Sequence, residues 1–331
     1  MKAVWFERFG EPDVLEFGER PAPTPGKGEV LVRLAASGVN PSDTKKRRGS
    51  FPNLLDNGYV IPHSDGAGVV EAVGEGVSSD RVGERVWVYQ AQHGRRFGSA
   101  AEYVAIDEAR APALPENADF RTGACYGIPV MTAHRCVFAD GDPGGLKVLV
   151  TGGAGRVGYY AIQWAANAGA EVIATASNAE DAETCRAAGA AHVVNHRDDD
   201  WGSRVLEATG GERVDRVVDV EFGANLSQVL ECIRTGGVIA TYSSSRDMQP
   251  TLPFYRMMFM DLTVRMVIVY DMPEAAKKQA IADIAAAEAA GRLSHRFAEA
   301  YPLERCADAH AAIEAGNRRG CVIVDIGGAE D

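Results

Sequence analysis

The 331 residues contain no long apolar run, no paired-cysteine motif and no excess of basic charge, and each absence removes a class of protein. No stretch approaches the ~18 consecutive apolar residues that a membrane-spanning helix needs. Over residues 1–25, Glu7, Arg8, Glu11, Asp13, Glu16 and Glu19 interrupt any core that a secretory signal would require. A soluble, cytoplasmic protein with no membrane contact is the expectation. The formal charge of −12 argues against a nucleic-acid partner, because phosphate binding needs a dense basic face. The six cysteines (Cys125, Cys136, Cys185, Cys232, Cys306 and Cys321) form no C-x-x-C and have no short spacing to histidine. They read as reduced, buried thiols from which no zinc site can be assembled. His63 and His134 have no ligand partner nearby in sequence and read as structural.

What is present divides the chain in two. The first part is rich in strand and turn signals, at Met1–Phe6, Glu29–Ala36, Ala67–Val73 and Arg85–Tyr89, with no helix of useful length before about Asp119. Near residue 145 strands begin to alternate with helices: strands at Lys147–Thr151, Glu171–Ala176, His192–Asn195, Val214–Val220, Val238–Tyr242 and Leu262–Val269. Helices at Ala179–Ala188, Trp201–Thr209 and Leu226–Ile233 fall between them. Such alternation implies right-handed crossovers and a parallel, doubly wound α/β sheet. After a helix at Ala275–Ala290, the tail reads as strand (Leu293–Tyr301), helix (Ala307–Ala315) and strand (Cys321–Ile326), returning to the first domain.

The segment Thr151-Gly152-Gly153-Ala154-Gly155-Arg156-Val157-Gly158 contains G-x-G-x-x-G as Gly153, Gly155 and Gly158. The pattern carries weight because it follows a predicted strand and opens a predicted helix. A dinucleotide site needs a tight turn, a backbone that can approach the pyrophosphate, and close helix–sheet packing. Glycine meets all three needs, and the helix N-terminus then faces the phosphates. An NAD site would carry Asp or Glu at the end of the second strand, ~20 residues on, to bond the ribose. Here that strand ends Thr175-Ala176-Ser177-Asn178, while Glu180 and Asp181 fall in the next helix. Small polar residues there tolerate a 2′-phosphate, which favours NADPH.

Further landmarks are Ser37-Gly38-Val39-Asn40-Pro41, the run Ser64–Gly74, Gly127–Ala133, Val194-Asn195-His196-Arg197, and Tyr301-Pro302-Leu303-Glu304 followed by Ala309-His310. With these and the glycine loop, the chain resembles the zeta-crystallin-like, zinc-free quinone oxidoreductases of the medium-chain dehydrogenase/reductase superfamily over nearly its whole length. The resemblance implies a Rossmann doubly wound parallel sheet domain inserted into a GroES-like β-rich catalytic domain. The catalytic domain would take residues 1–122 and 293–331, and the NADP(H)-binding domain residues 123–292. Zinc-dependent alcohol dehydrogenases of the same superfamily would carry Cys at Asn40 and Gly-His-Glu at His63-Ser64-Asp65, and would add a four-cysteine lobe. Without those ligands, hydride transfer suits acceptors that are already electrophilic, such as quinones or alkenes conjugated to a carbonyl.

By the same resemblance, Asn40 and Thr132 lie near the nicotinamide and its ribose. Gly153, Ala154, Gly155, Arg156, Val157 and Gly158 carry the pyrophosphate, Ser243 and Ser244 line the cofactor cleft, and Val267 reaches the carboxamide end. Ser177, Asn178 and His196 surround the 2′-phosphate. The plainer alternatives are a turn residue for Asn40 and a helix cap for Thr132. Arg156 stands where many relatives have Gly or Ala, and points to the pyrophosphate or to solvent. Asp181 replaces a lysine of some relatives and weakens the NADPH preference. Lys45 stands where relatives commonly have Tyr, opening the run Lys45-Lys46-Arg47-Arg48. That run is either a solvated basic turn or an electropositive collar for anionic acceptors. The functional alternatives are an enone, alkenal or enoyl-thioester reductase and, in another class, a nucleotide-binding structural or RNA-binding protein. A homodimer or tetramer joined through the last strand of the parallel sheet is implied.

Overall fold

The computed structural model describes residues 1–316 and 319–327. The chain forms two compact units. One comprises Met1–Ile128, Asp283–Gly291 and the stretch from His295 to the end of the described chain; the other comprises Pro129–Ala282 and Arg292–Ser294.

The second unit is built on six parallel strands, in the spatial order Thr263–Met266, Ile233–Thr241, Val214–Asp219, Lys147–Val150, Glu171–Ala176, His192–Asn195. Helices on both faces cover the central strands, so Leu149, Ile173, Val217 and Ile239 are fully buried. Trp201, Phe222, Leu226 and Leu230 pack onto them from the helices. This is why the central strands read as continuous apolar runs instead of alternating ones. The order reverses between Lys147–Val150 and Val214–Asp219, the switch point at which ligands bind in sheets of this doubly wound, Rossmann type.

The first unit is a GroES-like β domain. Its sheet runs Phe297–Pro302, Cys321–Asp325, Glu29–Val39, Asp65–Val73, Arg85–Val88, with Tyr103–Asp107 also paired to Glu29–Val39. The tail strand Cys321–Asp325 is antiparallel to the end of Glu29–Val39, with Val322 opposite Val39. A separate ribbon pairs Lys2–Trp5 with Glu16–Glu19.

Three features depart from the sequence reading. The strand expected to start at Leu293 starts at Phe297. Gln163 bonds both the N–H and the C=O of Ser294, which holds that residue against the second unit's helix Arg156–Asn167. The first unit also contains a helix, Pro41–Arg47, opened by a proline and by Asp43 reaching back to the Asn40 N–H at 2.8 Å.

On that helix the basic run is neither a solvated turn nor a continuous collar. Lys45 and Arg48 are exposed, while Lys46 and Arg47 are buried. Arg47 is 0 % exposed and pairs with Glu314, 267 residues away, which also forms an ion pair with Arg48 Nε at 3.0 Å. Two further nitrogens of Arg47, Nε and Nη1, have no partner among the described residues.

This arrangement predicts asymmetric costs. Glu314→Ala leaves a buried guanidinium uncompensated and should cost about 3–5 kcal/mol, whereas Arg47→Met leaves Glu314 with Arg48 and should be neutral or stabilising. Denaturant unfolding of both variants checks the difference; equal losses would contradict it.

Candidate active site

The candidate residues divide between the units. Asn40 and Lys45 belong to the first; Thr132, the glycine loop, Ser177, Asn178, His196, Ser243, Ser244 and Val267 belong to the second.

In the second unit the loop leaves the end of strand Lys147–Val150 at the switch point. Thr151 Oγ1 donates to Asp219 Oδ1 at 2.5 Å and accepts from the Val220 N–H at 3.0 Å, tying the two strand ends together. Burial holds the Asp219 carboxyl above its ordinary range, against hydrogen bonds from Thr151 and Asn225. Gly152 takes the left-handed turn, at φ +60°, and its N–H donates to Thr175 Oγ1 at 3.0 Å. Gly155 caps the helix Arg156–Asn167 without a side chain, leaving the first-turn N–H groups to a ligand. A Cβ on Gly158 would lie 2.5 Å from Gly152 O and 3.0 Å from Gly153 Cα, so this glycine sets the helix–strand approach. These features fit a pyrophosphate. Ala154 is buried, Val157 is half-buried, and the Arg156 guanidinium acts electrostatically on the Tyr242 hydroxyl instead of turning fully to solvent.

The ribose corner differs from expectation. Asp181 lies in the helix Ala179–Ala187, yet its buried carboxylate folds back to accept from Asn178 Nδ2 at 2.8 Å and Ser177 Oγ at 3.2 Å. Asn178 is the helix N-cap, accepting the Asp181 N–H at 2.9 Å. A carboxylate therefore stands at this corner despite the strand ending in small polar residues. His196 is half-buried there, its pKa lowered by burial and by Arg197, raised by Asp181 and lowered again by Arg246. Arg246 carried no signal in the sequence; it reaches this corner because its N–H is held by Glu221 Oε1 at 2.7 Å.

Ser244 Oγ accepts from the Gly223 N–H at 2.9 Å, and the Ser243 carbonyl accepts from the Phe222 N–H. Val267 is buried just beyond the edge strand. Thr132 is the second residue of the helix Met131–Phe138, whose N-cap is Val130, so its hydroxyl does not cap that helix.

In the first unit Asn40 is both N-cap residue and part of a buried polar network. Its Nδ2 donates to Asp65 Oδ2 at 2.8 Å, which also accepts the Ile128 N–H at 2.8 Å. Burial pushes the Asp65 carboxyl well above the usual range, against those two bonds. Asp43 is pushed up to about 6, chiefly by burial. Lys46 Nζ donates to Gln92 O at 2.5 Å and lies 3.4 Å from Ser64 Oγ; burial lowers its pKa while Asp43 and Asp65 raise it. Among the described residues no ion pair involves Lys45. His63 is not alone: its Nε2 lies 2.9 Å from His310 Nε2 and 3.6 Å from Cys306 Sγ, partners about 245 residues distant that no local spacing could reveal. All six cysteines are buried, and none forms a disulfide among the described residues.

Two family models match separate stretches of the chain. Residues 26–116 match the alcohol dehydrogenase GroES-like domain family, and residues 157–286 the zinc-binding dehydrogenase family. A human quinone oxidoreductase is 31% identical over 319 residues, covering 96% of this chain and 95% of its own. A solved Escherichia coli quinone oxidoreductase in complex with NADPH superposes with a TM-score of 0.86 at 26% identity, covering 98% of this chain and 100% of its own. A solved NAD-dependent alcohol dehydrogenase gives a TM-score of 0.87 at 30% identity, covering 99% and 100%.

The loop geometry separates folding from binding. Gly158→Ala drives a methyl into backbone and should cost about 1–3 kcal/mol of stability. Gly155→Ala meets only Gly152 O, at 3.1 Å, and should unfold nearly as the wild type. Its methyl would still crowd an approaching pyrophosphate and weaken dinucleotide binding about tenfold or more. Thermal unfolding and a fluorescence titration with dinucleotide check both; undiminished binding by Gly155→Ala would contradict the assignment.

Proposed function

The chain belongs to the medium-chain dehydrogenase/reductase superfamily, and from that premise we propose that it is an NADPH-dependent reductase delivering hydride to a quinone-type acceptor without a catalytic zinc. The observation that carries this reading is the donor set at Asn40, Ser64 and Asp65. An amide, a hydroxyl and a buried carboxyl stand where a zinc enzyme needs thiolate, imidazole and carboxylate. The Asn40 amide N–H is already given to Asp65, and the Lys46 ammonium lies 3.4 Å from Ser64 Oγ. A divalent cation at this position would meet a fixed positive charge. The name of the matched dehydrogenase family implies a metal, and these residues do not fit one here.

Bound NADPH supplies the hydride, and the chain's residues position the acceptor and stabilise charge. Asn40 is locked by its bond to Asp65, so its rotamer is set before any ligand arrives. Lys45 is exposed and outside any described ion pair, and it acts as the cation that stabilises negative charge building on the acceptor oxygen. Thr132, Ser243, Ser244 and Val267 line the nicotinamide half of the cofactor. His196, Arg197 and Arg246 support the 2′-phosphate, and Asp181 opposes it, so the preference for NADPH over NADH is modest. The free, buried cysteines support a reducing, cytoplasmic setting. Among the described residues no helix is long and apolar enough to cross a membrane. The open edge of Thr263–Met266, with Met266 72% and Ile268 54% exposed, supports a homodimer.

Steady-state turnover with 1,4-benzoquinone and both dinucleotides tests the assignment. Arg246→Ala should lower kcat/KM with NADPH about tenfold and leave NADH nearly unchanged, since only the former offers a phosphate to a guanidinium. Lys45→Ala should reduce efficiency more for a sulfonated quinone than for a neutral one, with the gap shrinking in high salt. Reduction of alkenals or crotonyl thioesters with no quinone turnover would overturn the acceptor class.

A further inference from the structure

His63 sits in the first unit with φ +74°, a left-handed conformation that glycine normally takes, and it is completely buried. The fold accommodates it closely. A Cβ on Gly98 would lie 2.2 Å from the His63 carbonyl oxygen, so only glycine permits that backbone contact. The strained turn aims the imidazole at the helix Cys306–Ala315. Cys306 and His310 are four residues apart on that helix, a spacing that puts both side chains on one face. The donor atoms of His63, Cys306 and His310 all lie within 4.8 Å of one another.

The hydrogen-bond count leaves this group incomplete. Ser37 Oγ lies 2.8 Å from His63 Nδ1 and also faces the Asp65 carbonyl oxygen, at 3.3 Å, to which Ser99 Oγ donates at 2.6 Å. When the serine proton is directed at that carbonyl, His63 carries its own proton on Nδ1 and presents an Nε2 lone pair; in the other tautomer Nε2 donates to His310 instead. That lone pair faces two neighbours at once, His310 Nε2 and Cys306 Sγ. His310 Nδ1 is buried with no partner among the described residues, so that ring too can carry its proton on Nδ1 and turn a lone pair inward.

We propose that His63, Cys306 and His310 form a buried, three-coordinate site for a soft, thiophilic cation, and that the ion is Cu(I). Two imidazoles and a thiolate suit such an ion, and the Ser37 contact supplies the outer hydrogen bond that orients a ligating histidine. Charge selects among the candidates. The charged groups acting on the three residues are Lys46 on His63, Arg47 on His310, and Asp43 with Arg47 on Cys306. With Glu314 paired to Arg47 these charges balance, so a complex that adds no net charge suits so buried a place. Cu(I) with one thiolate is neutral, whereas Zn(II) with one thiolate leaves a buried positive charge and seeks a fourth ligand. On binding, the Cys306 S–H bond is exchanged for a sulfur–copper bond and the proton leaves to solvent, with no change of oxidation state. The site is separate from Asn40 and does not depend on the acceptor class.

The test is anaerobic competition between the full-length protein and bathocuproine disulfonate for Cu(I), read by retained copper and by sulfur and nitrogen scatterers in X-ray absorption. The wild type should retain one equivalent with one sulfur and two nitrogen ligands. Cys306→Ala and His310→Gln should each lose at least about a hundredfold in affinity. His63→Gly removes a ligand while relieving the left-handed backbone, and thermal unfolding of each variant beside the wild type separates loss of copper from loss of fold. Cys125→Ala, at the other buried thiol neighbourhood with Cys321, should retain copper unchanged. Wild-type protein that retains no copper, copper that survives His63→Gly, or a site that takes zinc in preference to Cu(I) would each overturn the proposal.

Discussion

The two hydrogen bonds received by the buried Asp65 carboxyl, from the Asn40 amide and the Ile128 backbone, organise the GroES-like unit of this protein. They join the start of strand Asp65–Val73, the entrance of helix Pro41–Arg47 and the short π-helix Tyr126–Val130. A polar group placed so deep costs several kcal/mol unless paired, so the bonds serve stability and orientation together. They also fix the chemistry available. The Asn40 amide cannot turn freely to meet a ligand, and Lys46 sits close enough to make the position cationic. On the function proposed above, a site built this way would orient an electrophilic acceptor without a Lewis acid.

The Rossmann-type unit rests on a comparable device at the switch point, where Thr151 and Asp219 join the two strands that diverge. Together with Gly152 and Gly158 this bond sets the loop before any dinucleotide is present, so little ordering cost remains for binding. The adenosine corner is less settled electrostatically. His196, Arg197, Arg246 and the carboxylate of Asp181 act on the same small volume, and on the proposed function the balance among them would set the dinucleotide preference.

The parallel sheet and the glycine loop were legible because their signals are local: apolar runs, glycines and caps within a few residues of one another. The buried charges were not. Lys46 and Arg47 look like a surface run in sequence, and only a partner as distant as Glu314 shows why one of them lies inside. The sequence places Asp181 in the next helix and opposes it to a 2′-phosphate, but it does not show that the carboxylate turns back to Ser177 and Asn178. The meeting of His63 with Cys306 and His310 depends on the tail strand pairing with Glu29–Val39, a contact between opposite ends of the chain. Local pattern carries secondary structure well and carries long-range electrostatics hardly at all.

The central claim is that hydride passes directly to the acceptor at a site oriented by Asn40 and Asp65 and needing no metal there. Single-turnover kinetics with C4-deuterated NADPH and a neutral quinone, on protein exhaustively treated with chelator and checked for metal content, test it most directly. The account predicts an undiminished rate with a primary isotope effect clearly above one. A rate abolished by chelation and restored by one equivalent of zinc would contradict it.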